Sequence, residues 1–160
     1  MKIRHRYLLN PIQTDLRKKM VFVGGPRQVG KTTLALSILN GSKNHPAYLN
    51  WDVIVSRGKI LSQQLPSKQK LIIFDEIHKF VNWRNLLKGF YDQFSPNIHF
   101  LITGSARLDY YRKGGDSLQG RYHYYRLHPF SLRELNPKPS KKDVEALMAF
   151  GGFPEGDFLW

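Results

Sequence analysis

Cysteine is absent from the 160 residues, which excludes a disulfide framework and any thiolate metal site. No apolar run approaches the length of a bilayer-spanning helix. The N-terminal Met1-Lys-Ile-Arg-His-Arg-Tyr-Leu-Leu-Asn10 has too short an apolar stretch before Pro11 to act as a signal peptide. No membrane partner is therefore expected, and a cytoplasmic location follows by default. Internal repeats and low-complexity tracts are also missing, so a solenoid or fibrous architecture is not indicated. Acids are scarce, 12 against 25 Lys and Arg, for a net charge of +13. From Arg107 to Lys142 there are nine basic residues and three acids (Asp109, Asp116, Glu134). Such an excess fits either a nucleic-acid footprint or a solvated face combined with groups for an anionic nucleotide. No recognisable DNA-binding element accompanies it, which favours the second reading.

What is present is more specific. Gly25-Pro26-Arg27-Gln28-Val29-Gly30-Lys31-Thr32 reads as G-x-x-x-x-G-K-[ST], a phosphate-binding P-loop, followed by Thr33. Met20–Val23 before it suits a buried strand, and the apolar residues of 33–39 suit a helix packed on a sheet. The glycines let backbone N–H groups approach phosphate, and the helix N-terminus adds positive potential there. Lys31 is expected at the β- and γ-phosphates, and the Thr32 hydroxyl on Mg²⁺.

Downstream, Lys70-Leu-Ile-Ile-Phe-Asp75-Glu76 describes a buried parallel strand that delivers two carboxylates to its C-terminal edge. Asp75 fits the Walker B role of holding Mg²⁺, and Glu76 that of a general base for the attacking water. Ile98–Ile102 makes a further strand ending in Thr103-Gly104-Ser105. Ser105 or Thr103 is expected to supply the polar sensor 1 residue between the Walker B acid and the γ-phosphate. Ala47–Leu49 and Tyr122–Leu127 read as two more strands, and 53–61, 81–94 and 143–150 as helices. Strands alternating with helices predict an α/β fold with a parallel sheet. Asn136–Lys142 has linker composition.

With these residues quoted, the chain resembles the bacterial and archaeal AAA-type P-loop ATPases that carry the GPRQVGKT loop. The matching segments run in order through Tyr48-Leu-Asn-Trp-Asp52, Ile72–Lys79, Ile102–Ala106, Ser117-Leu-Gln-Gly-Arg121, Leu127–Ser131 with Glu134, and Gly151-Gly-Phe-Pro-Glu155. The resemblance implies a three-layer P-loop NTPase core with about five strands in the order 5-1-4-3-2. It implies that ATP is bound and hydrolysed with Mg²⁺, and that subunits contact one another in a homo-oligomer. It also makes Arg121 the candidate arginine finger, acting in cis or from a neighbouring subunit, with Arg107 next. Family members are longer, so residues 1–135 are expected to form the core, and 136–160 a linker and the start of an interrupted helical lid.

Other function classes fit less well. A DExH helicase reading of Asp75-Glu-Ile-His78 needs a second core, which 160 residues cannot hold. A GTPase needs an Asn-Lys-x-Asp tetrad, which does not occur. A nucleotide-dependent interaction module that binds without hydrolysing, or a remnant of a longer ATPase, is the remaining alternative.

Overall fold

Apolar residues that alternate along each central strand are sorted onto two faces, as the two-residue period of a strand requires. In β1 (Met20–Gly24), Met20 and Phe22 join one cluster, while Val21 and Val23 join the other. β3 (Leu71–Asp75) divides Ile72 and Phe74 from Ile73 in the same way, and β4 (His99–Thr103) divides Phe100 and Ile102 from Leu101. These relations come from a computed structural model, which describes residues 6–66, 68–105, 108 and 118–154. Ala106, Arg107, Asp109, Arg112, Lys113, Asp116, Ser117 and Glu155 lie outside the described residues.

With β2 (Tyr48–Asn50) and β5 (Tyr122–Arg126) the strands form one five-stranded sheet. Its order is β2-β3-β4-β1-β5, which is the expected 5-1-4-3-2 read from the other side. All four pairings are parallel. One face is covered by α3 (Ile54–Leu61) through Ile60 and by α4 (Trp83–Phe94) through Trp83, Leu87 and Phe90. Phe74 stacks on Phe90 at 5.4 Å and on Phe100 at 5.9 Å, which ties that helix to the middle strands. The other face carries α1 (Leu9–Leu16) through Ile12 and Leu16, and α2 (Lys31–Leu39) through Leu34 and Ala35. The layers are therefore helix, sheet and helix.

Element edges lie within a residue or two of those expected; the short helix Leu132–Leu135 is an addition, and so is α1. Its short apolar face, carried by Ile12 and Leu16, is buried only because β1 and β4 lie beneath it. The segment of linker composition is brief, because α6 (Lys141–Phe150) starts at a capping box between Ser140 and Asp143. With α5 (Leu132–Leu135) it brings the chain back to the core, where the Phe130 amide donates to the Gly152 carbonyl at 2.7 Å.

The register decides where chemistry can occur. Val23 lies opposite Thr103, Asp75 opposite Thr103, and Asn50 opposite Asp75. The C-terminal ends of β1, β3 and β4 thus meet at one edge, where open α/β sheets take their ligands.

Candidate nucleotide site

The turn after β1 has the backbone of an anion cradle. Gly25 adopts φ 140° and Gly30 φ 88°, and Gln28 between them is also left-handed at φ 64°. A Cβ at Gly25 would lie 2.2 Å from the Leu127 carbonyl oxygen, so the loop's first position admits only glycine. Val29 is buried beneath the turn, while Arg27 and Gln28 are exposed. Lys31 opens α2 and folds back, its ammonium donating to the carbonyls of Gly25 (3.1 Å) and Pro26. Burial pulls this ammonium below the ordinary lysine range, and Glu76 and Asp75 act in the opposite direction.

Asp75 gathers three hydroxyls. Thr32 Oγ1 donates to Oδ2 at 3.0 Å, Tyr48 Oη to the same oxygen at 2.5 Å, and Thr103 Oγ1 to Oδ1 at 2.6 Å. Of the two hydroxyls expected at the sensor position, Thr103 is the one on Asp75. Ser105 instead shares a hydrogen bond of 3.1 Å with His78 Nε2. Thr32 and Asp75 offer hard oxygens, the donor type that Mg²⁺ prefers, so the residues fit that ion. Among the described residues no group of three His, Asp or Glu converges. A cation at this edge would share its coordination with phosphate oxygens, as Mg²⁺ commonly does.

Glu76 follows in a left-handed conformation, φ 58°, with its amide donating to the Thr103 carbonyl at 3.0 Å. That turn directs its side chain away from Asp75, to within 3.4 Å of Lys79 Nζ and 3.7 Å of His78 Nε2. Lys79 also pairs with Asp52 at 2.5 Å. The two adjacent carboxylates therefore have separate partners, which suits separate roles.

Arg121 lies elsewhere. Its carbonyl accepts from the Met20 amide, at the start of β1, and its guanidinium pairs with Asp92 at 2.9 Å. The P-loop leaves the other end of that strand, four residue steps of about 3.3 Å away. Arg121 therefore stands at the sheet edge opposite to its own P-loop, and the cis form of the arginine-finger expectation does not fit this geometry.

Two residues escaped the sequence reading. Tyr48 reaches Asp75 only through the pairing of β2 with β3, which no local pattern announces. Arg6 comes from far upstream and donates to the carbonyls of Val29 (3.3 Å), inside the P-loop, and of His128. It pairs with Glu134 at 3.0 Å, both side chains being nearly buried (6% and 5% exposed), and lies 4.1 Å from the Phe130 ring centroid. Glu134 is further held by the Ser131 amide and hydroxyl, each at 2.8 Å. The Ser131-x-x-Glu134 capping box was the available signal for this anchor. A Cβ on Gly152 would meet the Phe130 oxygen at 2.4 Å, which accounts for glycine in Gly151-Gly-Phe-Pro154. Pro154 in turn lies 3.8 Å from where a Gly30 Cβ would stand.

A family model described as AAA domain matches residues 17–136. No curated protein matches the sequence. Among solved structures, the Thermotoga maritima RuvB Holliday junction branch migration motor is similar, with a TM-score of 0.50 and 22% identity over 88% of this chain and 48% of that one. A single-substitution variant of the same motor gives a TM-score of 0.51 at the same identity and coverage. A signal transduction ATPase with numerous domains, bearing a tetratricopeptide repeat sensor, from Pyrococcus horikoshii gives 0.53 and 16% over 91% of this chain and 28% of that one. These likenesses are in fold, and the chain spans about half the length of the RuvB chains. No helix among the described residues is long and apolar enough to cross a membrane.

Proposed function

The chain belongs to the AAA-domain family, and from that premise we propose that it binds ATP with Mg²⁺ at the P-loop and hydrolyses it. The observation that carries this reading is the hydrogen bond from Thr32 to Asp75 at 3.0 Å, across 43 residues of sequence. It joins the two side chains that metal–nucleotide chemistry needs side by side. Backbone amides of residues 25–33 bind phosphate oxygens, and Lys31 moves from its two carbonyl partners onto the β- and γ-phosphates. Thr32 and Asp75 hold the cation, which when bound neutralises charge developing on the transferred group.

Glu76 takes the proton of the attacking water as that oxygen bonds to the γ-phosphorus and the bridging oxygen leaves with ADP. Thr103 keeps Asp75 oriented, and Ser105, through His78, steadies the surroundings of Glu76. Arg121, from its distant edge, serves the site of a neighbouring copy. ATP and a second copy of the chain are the partners this site needs, whereas nucleic acid rests on charge alone.

Calorimetry of the purified chain with Mg–ATP tests the reading. Lys31→Ala should weaken binding tenfold or more, about 1.4 kcal/mol, and unchanged affinity would remove the assignment. Binding without phosphate release would instead identify a nucleotide-dependent interaction module.

A further inference from the structure

Tyr48 is the hydroxyl on Asp75 that the proposed chemistry leaves unexplained. It projects from β2 beside the Walker B strand, with Asn50, two residues on, directly opposite Asp75. The ring is buried, and the hydroxyl has a fixed polarity. Asn50 Nδ2 donates to Tyr48 Oη at 3.2 Å, so the single hydroxyl hydrogen is directed to Asp75 Oδ2 at 2.5 Å.

An ionised carboxylate offers about four lone-pair sites. Here Thr32 and Tyr48 share Oδ2, and Thr103 takes one site on Oδ1. Thr32 can keep this bond while its oxygen ligates a cation, because a hydroxyl carries two lone pairs besides its one O–H donor. Tyr48 and Thr103, one on each carboxylate oxygen, hold the carboxylate plane, and one of its four lone-pair sites, on Oδ1, is left by these three donors for a cation or its water. Outer groups that orient a ligand in this manner typically change metal affinity by about 10–100-fold when removed.

We propose that Tyr48 is a positioning residue for the metal half of the site, fixing Asp75 in the orientation that receives Mg²⁺ with the nucleotide. The inference rests on the metal-holding role of Asp75 given above. It predicts that the Tyr48 hydroxyl affects Mg²⁺-dependent binding and leaves nucleotide binding without the ion unchanged.

The test uses the 160-residue chain, a fluorescent ATP analogue and a Mg²⁺ titration, with a parallel arm in excess EDTA. Tyr48→Phe removes one oxygen and keeps the ring. The Mg²⁺ concentration for half-maximal enhancement of binding should rise about 10–100-fold, while affinity in EDTA stays at the parental value. Equal losses with and without Mg²⁺ would mean that the hydroxyl only supports the fold, and would overturn the proposal. Should Tyr48→Phe fail to fold, Asn50→Leu leaves Tyr48 in place but frees its hydroxyl to rotate, and a smaller rise of the same sign is expected. No rise in the variant that folds also overturns it. Asp75→Asn separates the two levels. If it shifts the Mg²⁺ dependence and Tyr48→Phe does not, the inference fails and the site reading stands. If Asp75→Asn shifts nothing, the metal-holding role itself is wrong.

Discussion

Glu76 combines a backbone conformation that costs energy with a side chain in a chemically useful place. A non-glycine residue at φ 58° is unfavourable by roughly 1 kcal/mol or more. The turn does something a relaxed strand end would not, since it gives Asp75 to Thr32 and Glu76 to Lys79. Glu76→Gln keeps the same backbone, so its melting temperature and ATP affinity should match the parent while hydrolysis slows by on the order of a hundredfold. Glu76→Gly should lose hydrolysis equally but gain about 1 kcal/mol in urea unfolding, because glycine adopts this φ without strain. Parental turnover in Glu76→Gln would show that it is not the base. The adjacent acids were legible because a strand must end at them. Separate roles for them were expected as well, but the turn that parts the two side chains was not legible, because it depends on one φ angle. Thr103 and Ser105 were likewise legible only as a pair of hydroxyls. Strand pleat and the position of His78 assign one to Asp75 and the other to the histidine.

Among the elements, the strands were readable because parallel strands buried on both faces need continuous apolar runs, as Leu71–Phe74 and Phe100–Ile102 supply. α1 was not readable, since an eight-residue helix with few apolar positions takes its stability from what it packs on. Of the join between the N-terminal segment and α5, only the Ser131–Glu134 capping box was legible, because the partners Arg6 and Glu134 are far apart in sequence. Burial depresses the Arg6 pKa, and Glu134 acts to raise it. Removing either member leaves the other nearly buried without its counter-charge. Arg6→Ala should therefore cost about 3–5 kcal/mol. In a double-mutant cycle with Glu134→Gln, measured by urea unfolding, the losses should fall short of additivity by about 1 kcal/mol or more. Strict additivity would mean that the two side chains do not stabilise one another.

At the scale of the molecule, the strand order followed from the family resemblance, and the sheet has that order. The position of Arg121 did not follow, because a short motif does not say from which edge its strand is entered. With Arg121 and the P-loop at opposite edges, activity should rise with protein concentration. Arg121→Ala mixed with Lys31→Ala should regain hydrolysis that neither has alone. Flat specific activity and no recovery on mixing would reject action between subunits. The Arg121 edge also holds His99, whose pKa is lowered by burial, by Arg17 and by Lys70. The unfolded chain therefore binds this proton more readily than the folded one, and stability falls as pH drops through the unfolded value of about 6.5. His99→Gln should flatten the dependence of unfolding free energy on pH between about 7.5 and 5.5. An unchanged slope would place the titration elsewhere.

The phosphate loop is gripped from both sides by segments distant in sequence. Arg6 holds the Val29 carbonyl, and the Phe130–Gly152 pair brings Pro154 against Gly30. A shift of this loop therefore disturbs contacts made by the Arg6 segment and by residues 128–154. In hydrogen-exchange terms, the Phe130 amide, bonded to Gly152, is a reporter of that grip outside the loop itself. Nucleotide that steadies the loop should therefore slow exchange at Phe130, far along the chain, and unchanged exchange there would show that the grip is not coupled to the loop.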